Sequence, residues 1–282
     1  MKHWEQVIEH DTFRFIDQTH IETFEERPYT ALTSFAIDDA LALSVSHKLS
    51  PPVIRMWTHP KTVVLGIPDS RLPFVKDGVR MLQAEGYHVI VRNSGGLAVA
   101  LDEGVLNISL VLPDTRRLSI DEGYEAMLHF IQHMLKDITT DIQAYEIVGS
   151  YCPGDYDLSI DGIKFAGISQ RRVRDGAAIQ IYLDVEGNSL RRAELIRDFY
   201  RVSKQNVETP FVYPSVNPDV MGSISALTNV PLTVEDMKNR VRKTIEQLST
   251  RLITEPFSTY EREQFSKRYD QMIQRNTSIQ VD

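Results

Sequence analysis

Apolar residues recur with the period of an α-helix in several long segments of the chain. In residues 119–138 they recur every three or four positions, and Ser119 with Glu122 forms a capping box, the pairing that starts many helices. Comparable signals, with Ser34 as the expected N-cap of the first segment, predict helices over 34–48, 74–85, 189–200, 233–249 and 258–273.

Short apolar segments bounded by turn residues predict β-strands. Residues 156–160 and 163–172 flank Asp161-Gly162, and a second Asp-Gly pair precedes 177–185. Because Asp-Gly favours tight hairpins, these three segments predict an antiparallel meander. Further strands are predicted at 53–58, 62–66, 87–92 and 106–112, with His59-Pro60-Lys61 as the turn between the first two.

The mixture of helices and strands predicts the fold class and the domain organisation. No internal repeat is visible, and residues 203–231, with three prolines and little periodicity, predict a long loop rather than a linker between two cores. We therefore expect a single α+β domain over residues 1–282, with a mixed or antiparallel sheet flanked by helices.

Composition and charge exclude several classes of protein. The chain is 42% hydrophobic and 25% charged, which is typical of a globular protein rather than a disordered one. A net charge of −8 argues against nucleic acid as the main partner. The N-terminal residues lack the apolar core of a signal peptide, and no apolar run approaches the ~20 residues of a membrane span. With one cysteine, no internal disulfide can form, so we expect a protein of the reducing cytoplasm.

The single cysteine, Cys152, lies between Gly149 and Pro153-Gly154, where the chain is expected to turn. Free cysteines more often lie inside helices or strands as small apolar residues. An ordinary thiol is only about 3% thiolate at pH 7, so a nucleophilic cysteine needs a base or a positively charged neighbour. From the residues alone, an incidental loop cysteine and a nucleophile both remain open.

Two further segments carry candidate chemistry. Gly95 and Gly96 follow a predicted strand, and consecutive glycines let backbone amides approach a ligand, although such a turn can also merely redirect the chain. Lys164 begins the second meander strand, and the hairpin would return it towards Cys152. A partly desolvated lysine could accept the thiol proton, whereas a solvated strand-end lysine would be inert. The histidines show no metal-binding spacing, so we expect no metal site.

Taken together, these segments resemble the lipoate/octanoate–protein ligase and transferase family, which shares its catalytic-domain fold with biotin protein ligases. Residues 92–113 and 157–172 are similar to two family blocks, and Lys164 matches the lysine that contacts the carbonyl end of the acyl substrate. Residues 34–45 and 53–70 resemble the opening helix and the first β-hairpin. The resemblance runs from about residue 30 to about residue 250, and it implies substrate binding by Arg92, Ser94, Gly95, Gly96 and Gly167.

Residues 149–172 are similar to a Gram-positive branch of the family that moves octanoyl groups between lysines. The resemblance implies Cys152 as the nucleophile that carries an acyl thioester, Lys164 as general acid and base, and no cofactor. It implies the glycine cleavage H protein as octanoyl donor and the lipoyl domains of 2-oxoacid dehydrogenase complexes as acceptors. Acidic partner surfaces would then meet local basic residues such as Arg171, Arg172 and Arg174.

Two departures from the family pattern bear on the alternatives. Leu97 and Leu101 stand where the first block has glycine and histidine, which counts against an ATP-dependent lipoate–protein ligase that must hold an acyl-adenylate. An octanoyl-acyl carrier protein:protein octanoyltransferase would use the same cysteine and lysine and differs in its donor. A non-catalytic binder of lipoyl domains would survive loss of Cys152 unchanged.

Overall fold

Capping residues and alternating apolar positions set the helices and strands of the computed structural model, which describes residues 4–113 and 115–281. Within these residues the helices are α1 (Trp4–Ile8), α2 (Ala31–Ser46), α3 (Val75–Ala84), α4 (Ile120–Leu135), α5 (Ser189–Lys204), α6 (Ile224–Thr228), α7 (Val234–Leu248) and α8 (Thr259–Asn276). The strands are β1 (Thr12–Gln18), β2 (Thr23–Phe24), β3 (Arg27–Pro28), β4 (Val53–Trp57), β5 (Thr62–Leu65), β6 (His88–Val91), β7 (Val99–Leu101), β8 (Val105–Leu112), β9 (Gln143–Ala144), β10 (Asp157–Ile160), β11 (Ile163–Val173), β12 (Gly176–Asp184) and β13 (Arg251–Ile253).

A mixed sheet forms the centre of the molecule, in the order β13-β1-β4-β8-β12-β11-β10-β9. Strand β1 runs parallel to both β13 and β4, and the other neighbours in this sheet are antiparallel. The predicted meander is confirmed, because β10, β11 and β12 are consecutive antiparallel neighbours. A smaller sheet, β6-β5-β7, and the β2-β3 pair complete the strands of the described residues.

Capping boxes predicted three of the helix starts correctly. Ser119, Thr233 and Ser258 are the N-caps of α4, α7 and α8, and each accepts a hydrogen bond from the third residue of its helix. The N-cap predicted for α2 was wrong by four residues, because Thr30 takes the extended N-cap conformation and pairs with Thr33. Ser34 lies inside this helix and is buried.

Two other predictions are corrected by the sheet topology. Strands β4 and β5 do not form a hairpin, because the turn at 59–61 carries the chain from the large sheet to the small one. The long loop at 203–231 contains a 3-10 turn, Pro218–Val220, and the short helix α6. Strand β1, which no sequence signal predicted, lies between β13 and β4.

The large sheet separates two apolar cores. In β8, Leu106, Ile108 and Leu110 belong to the core that contains α4 and α7, while Val105 and Val111 belong to the core that contains α2. This alternation follows from the period of two along a strand. None of the helices in the described part of the chain is both long and apolar enough to cross a membrane.

A buried carboxylate ties α2 to the sheet beneath it. Asp38 accepts hydrogen bonds from Arg55 on β4 (2.8 Å), Ser109 on β8 (2.5 Å) and Gln180 on β12 (2.6 Å). Arg55 and Asp38 are both completely buried, so breaking this pair would leave an uncompensated charge in the core. The network therefore fixes the position of α2 over three strands, next to the cavity described below.

Candidate active site

A cavity of about 290 Å³ lies between the meander and the turn that follows β6. Five of the seven site residues predicted from the sequence line it: Arg92, Gly95, Gly96, Cys152 and Gly167. The other two lie behind its wall, where the Ser94 side chain is buried and Lys164 is completely buried. The fold thus brings together segments that are far apart in the sequence.

The cysteine sulfur faces a cation and a backbone amide. The Leu97 N–H donates to Cys152 Sγ at 3.1 Å, and Nη2 of Arg92 donates to the same sulfur at 3.3 Å. The same Nη2 also donates to the carbonyl oxygen of Leu97 at 2.8 Å, which holds the guanidinium against the turn. A positive charge and hydrogen-bond donors are the surroundings that stabilise a thiolate.

The backbone of the cysteine loop is held in an unusual conformation. Cys152 has a φ of +48°, in the left-handed region that costs a non-glycine residue roughly 1–2 kcal/mol. Nζ of Lys164 donates to the carbonyl oxygens of Tyr151 and Cys152, both at 2.9 Å. It also lies 3.2 Å from Ser150 Oγ and 2.8 Å from Asp157 Oδ1. These contacts compensate the strain and present the sulfur to the cavity.

The contacts of Lys164 differ from those expected of a base that takes the thiol proton. Within the described residues, its Nζ contacts the backbone of the cysteine loop and Asp157, while the contacts of Sγ come from Arg92 and Leu97. Burial raises the pKa of the Asp157 carboxyl, and the Lys164 ammonium opposes that rise. The role of Lys164 as a general acid or base therefore stays a prediction.

Three glycines are needed for the close approach of these groups. Gly96 has a φ of +96°, and a Cβ there would lie 2.2 Å from Arg92 Nη2 and 2.8 Å from Cys152 Sγ. A Cβ on Gly66 would lie 1.9 Å from the Gly96 carbonyl oxygen, and one on Gly167 would lie 2.8 Å from the Tyr182 ring. Gly66 was missed in the sequence, where it reads as the end of a strand.

Aromatic and acidic residues surround the mouth of the cavity, and no sequence signal pointed to them. The rings of Tyr124 and Tyr156 stack with centroids 5.0 Å apart, and both line the cavity together with Asp121 and Asp155. Burial raises the pKa of Tyr156, as do the acidic residues nearby.

A narrower space of about 40 Å³ continues from the cavity towards α2. The two spaces share wall residues, including Arg92, Gly167 and Tyr182. The inner one is lined mainly by apolar and aromatic side chains, including Phe35, Trp57, Val64, Val99 and Leu101. A polar mouth with a sulfur beside an apolar inner wall suits a substrate that has a reactive carbonyl and a hydrocarbon chain.

A buried carboxylate supports the turn from behind. Asp69 accepts hydrogen bonds from the Gly66 N–H at 2.7 Å and from the Tyr200 hydroxyl at 3.0 Å. The Tyr200 oxygen in turn accepts from the Ala98 N–H at 3.3 Å. Burial raises the pKa of Asp69 to about 6. Asp69 and Tyr200 are 131 residues apart, so no local pattern could have linked them.

The arginines expected to meet a partner are largely engaged within the chain. The Arg171 guanidinium pairs with Asp39 at 3.0 Å, and Arg172 donates to the carbonyl oxygens of Thr115 and Leu118. Arg174 is exposed, at the turn after β11. The first two side chains therefore stabilise the end of the meander in this structure.

Comparisons with known proteins show which sequences and folds this chain is similar to. Residues 30–246 match the family model described as the lipoyl protein ligase A/B catalytic domain. An octanoyl-[GcvH]:protein N-octanoyltransferase of Oceanobacillus iheyensis is 61% identical over 99% of this chain and 100% of its own length. A lipoyl-[GcvH]:protein N-lipoyltransferase of Listeria monocytogenes is 45% identical over 97% of both chains. A solved structure of lipoate-protein ligase A bound with ATP overlaps 92% of this chain and 94% of its own, with a TM-score of 0.68 and 15% identity. The predicted lipoate–protein ligase fold is therefore confirmed.

Proposed function

The chain belongs to the lipoyl protein ligase A/B catalytic-domain family, and on that premise we propose that it is an octanoyltransferase that uses Cys152 as its nucleophile. It is an acyltransferase of protein lipoylation, and it moves an octanoyl group from a lysine of the glycine cleavage H protein to the lysine of a lipoyl domain. The observation that carries the role of Cys152 is its sulfur, which faces Arg92 and the Leu97 N–H at the base of the cavity. Its free thiol suits the reducing cytoplasm.

The first step loads the cysteine. The Cys152 thiolate attacks the carbonyl carbon of the octanoyl-lysine amide and forms a tetrahedral intermediate. The C–N bond then breaks, the departing lysine nitrogen takes up a proton, and an octanoyl thioester remains on the sulfur. The Arg92 guanidinium stabilises the thiolate before attack. The backbone donor nearest the reacting atoms is the Leu97 N–H, directly after the predicted Gly95-Gly96 turn.

The second step reverses the first with a new lysine. The neutral amine of the lipoyl-domain lysine attacks the thioester carbonyl, the C–S bond breaks, and the thiolate is restored. The amine proton leaves as the new amide forms, so over both steps an octanoyl group and a proton exchange places between two lysines. Because an amide is broken and an amide is made, the overall reaction is close to isoenergetic and needs no nucleotide.

Lys164 is our candidate for the proton donor to the departing amine. Its Nζ lies 2.9 Å from the carbonyl oxygen of the nucleophile's own residue, and the buried Asp157 carboxyl beside it can exchange a proton with it. To act in this way, Lys164 must give up one of its bonds to the loop when a substrate binds. Its alternative role is to hold the loop, and the two roles predict different pH–rate profiles.

The hydrocarbon chain supplies binding energy along the wall of the cavity, with its end at the apolar inner space. Burial of about seven carbons contributes roughly 5 kcal/mol at ~0.8 kcal/mol per methylene. We propose that the chain lies against Val99, which lines both spaces, and against Leu101 of the inner space, with its carbonyl at Sγ. The groups named for substrate binding, Arg92, Gly95, Gly96 and Gly167, then surround the carbonyl end.

The test is intact mass spectrometry after mixing the protein with octanoyl-H protein. An octanoyl adduct that a Cys152→Ser variant lacks, followed by transfer to an apo lipoyl domain, would support the proposal. Octanoyl-acyl carrier protein serves as the competing donor in a parallel reaction. Faster loading from the carrier protein would change the donor while keeping the mechanism, and absence of any adduct on Cys152 would refute the mechanism.

A further inference from the structure

The turn that faces the sulfur is held from behind by groups that contact neither Cys152 nor Arg92. Residues 96–98 supply the amide that donates to Sγ, the carbonyl that holds the Arg92 guanidinium and the glycine that leaves room for both. The position of these three residues therefore sets the surroundings of the nucleophile. A displacement of a few tenths of an ångström would lengthen both contacts to the sulfur.

Asp69 reaches this turn along two paths. One carboxyl oxygen accepts from the Gly66 N–H at 2.7 Å, and Gly66 is the residue against which the Gly96 carbonyl oxygen packs. The other accepts from the Tyr200 hydroxyl at 3.0 Å. Because that hydroxyl gives its proton to Asp69, its oxygen accepts from the Ala98 N–H, at 3.3 Å. The carboxyl thus holds both sides of the turn.

We propose that Asp69 and Tyr200 are positioning residues for the acyl transfer, acting through residues 96–98 on the sulfur of Cys152. This role deepens the proposed function and rests on it only where octanoyl loading is the reaction measured. Both side chains are buried, with Asp69 at 0% and Tyr200 at 5% exposure, so they do not touch the substrate. Their effect is on the rate of reaction at the sulfur rather than on the binding of the donor protein.

A second tyrosine, whose ring lies beside that of Tyr200, provides the matched control. The Tyr213 ring lies 5.8 Å from the Tyr200 ring, and its hydroxyl donates to the Pro68 carbonyl oxygen at 2.7 Å. Changing either tyrosine to phenylalanine removes one hydroxyl and the hydrogen bond that this hydroxyl donates, to Asp69 from Tyr200 and to Pro68 from Tyr213. The Tyr200→Phe change alone leaves the Ala98 N–H without its acceptor.

The experiment measures two rates at Cys152 in Tyr200→Phe, Tyr213→Phe and the parent protein. One is the rate of octanoyl loading at saturating octanoyl-H protein, and the other is the rate of alkylation by iodoacetamide at pH 7. We expect Tyr200→Phe to lower the loading rate roughly tenfold, as for the loss of the hydrogen bond that holds the Ala98 N–H, with the KM for the donor unchanged. Alkylation should slow several-fold because the donors to the thiolate shift. Tyr213→Phe should stay within about twofold of the parent in both rates.

The alkylation arm separates this proposal from the proposed function. If the parent protein forms no octanoyl adduct, the proposed function fails, but slower alkylation of Tyr200→Phe would still support the positioning role. Equal effects of the two tyrosine changes would overturn the proposal, as would a Tyr200→Phe variant that alkylates at the parent rate or faster. Asp69→Asn is the second variant if Tyr200→Phe does not fold, and it must slow both rates in the same way.

Discussion

A methyl group at Gly96 would occupy the space between the Arg92 guanidinium and the nucleophile. The Cβ of a Gly96→Ala variant would lie 2.2 Å from Arg92 Nη2 and 2.8 Å from Cys152 Sγ, closer than real Cβ contacts allow. The Gly96 carbonyl oxygen packs against Gly66, so the backbone of the turn has little room to retreat. We therefore expect the guanidinium and the sulfur to move apart.

The size of the effect follows from the contact that is lost. A hydrogen bond to a charged group is worth roughly 1.5–3 kcal/mol, which corresponds to about 10- to 150-fold in rate if the contact acts on the reacting thiolate. Separately, the φ of +96° should make alanine destabilising by roughly 1–2 kcal/mol. That cost would lower the melting temperature by about 2–4 °C per kcal/mol.

Two other glycines separate these effects. Gly86 has a φ of +82°, and a Cβ there would meet no heavy atom within 4 Å beyond its chain neighbours, so Gly86→Ala measures the backbone strain alone. Gly95 lies in the same turn as Gly96, but a Cβ on it, as on Gly86, would meet no heavy atom within 4 Å. Gly95→Ala therefore measures the addition of a methyl group to the turn without a clash. The assays are the loading rate at saturating octanoyl-H protein and the melting temperature.

The expected pattern is a much larger loss of loading in Gly96→Ala than in either control variant, and a loss of stability in Gly96→Ala at least as large as that in Gly86→Ala. If Gly96→Ala loads octanoate within threefold of Gly95→Ala, the guanidinium beside the sulfur is not needed. If Gly86→Ala loses loading as well, the rate reports general instability rather than the geometry of the turn.

Four other predictions concern the nucleophile, the lysine, the buried carboxylate and the nucleotide. Cys152→Ala should abolish adduct and transfer at an unchanged melting temperature, and more than a few per cent residual transfer would reassign the nucleophile. Lys164→Met should lower transfer by roughly 10²–10⁴-fold, and a Lys164→Arg variant with the parent's pH–rate profile would show that the lysine only holds the loop. Burial raises the pKa of Asp69 from 3.8 to about 6. The contribution of this carboxyl to the free energy of unfolding is therefore fully present below pH 3.8 and is lost as the pH rises through 6. The free energy of unfolding of Asp69→Asn, relative to that of the parent, should consequently rise by about 3 kcal/mol between pH 3.5 and pH 7. Denaturant titrations in which this difference is equal at both pH values would contradict the prediction. Free octanoate with ATP and magnesium should leave an apo lipoyl domain unmodified in mass spectra, and steady ATP-dependent modification would indicate a ligase.

Local signals predicted the meander and the helices with capping boxes, because their causes lie within a few residues of one another. Ser119 needs only Glu122 to start its helix, and the turn at Asp161-Gly162 depends only on the backbone conformation of these two residues. Strand β1 was missed because its stabilising partners are remote. Arg14 in this strand pairs at 2.6 Å with Glu261, 247 residues away, and a buried arginine gives no strand signal.

The candidate site also contains residues that the sequence predicted and contacts that it could not predict. The resemblance found Cys152 and Arg92, since both lie within recognisable segments, but the contact between sulfur and guanidinium depends on how the meander packs against the turn after β6. In the same packing the Lys164 side chain enters the core beneath the cysteine loop, so it does not contact the sulfur directly. The support from Asp69 and Tyr200 could be seen only in three dimensions.

Strand β1 can complete its pairing only after the ribosome has made β13, about 240 residues further along the chain. At roughly 5–20 residues per second, that delay lasts on the order of 12–50 s. An open strand edge is a template for pairing with other chains, and a charged side chain on it discourages such contacts. Arg14 ends as a buried partner of Glu261, and until that residue has been synthesised we expect its charge to discourage such pairing.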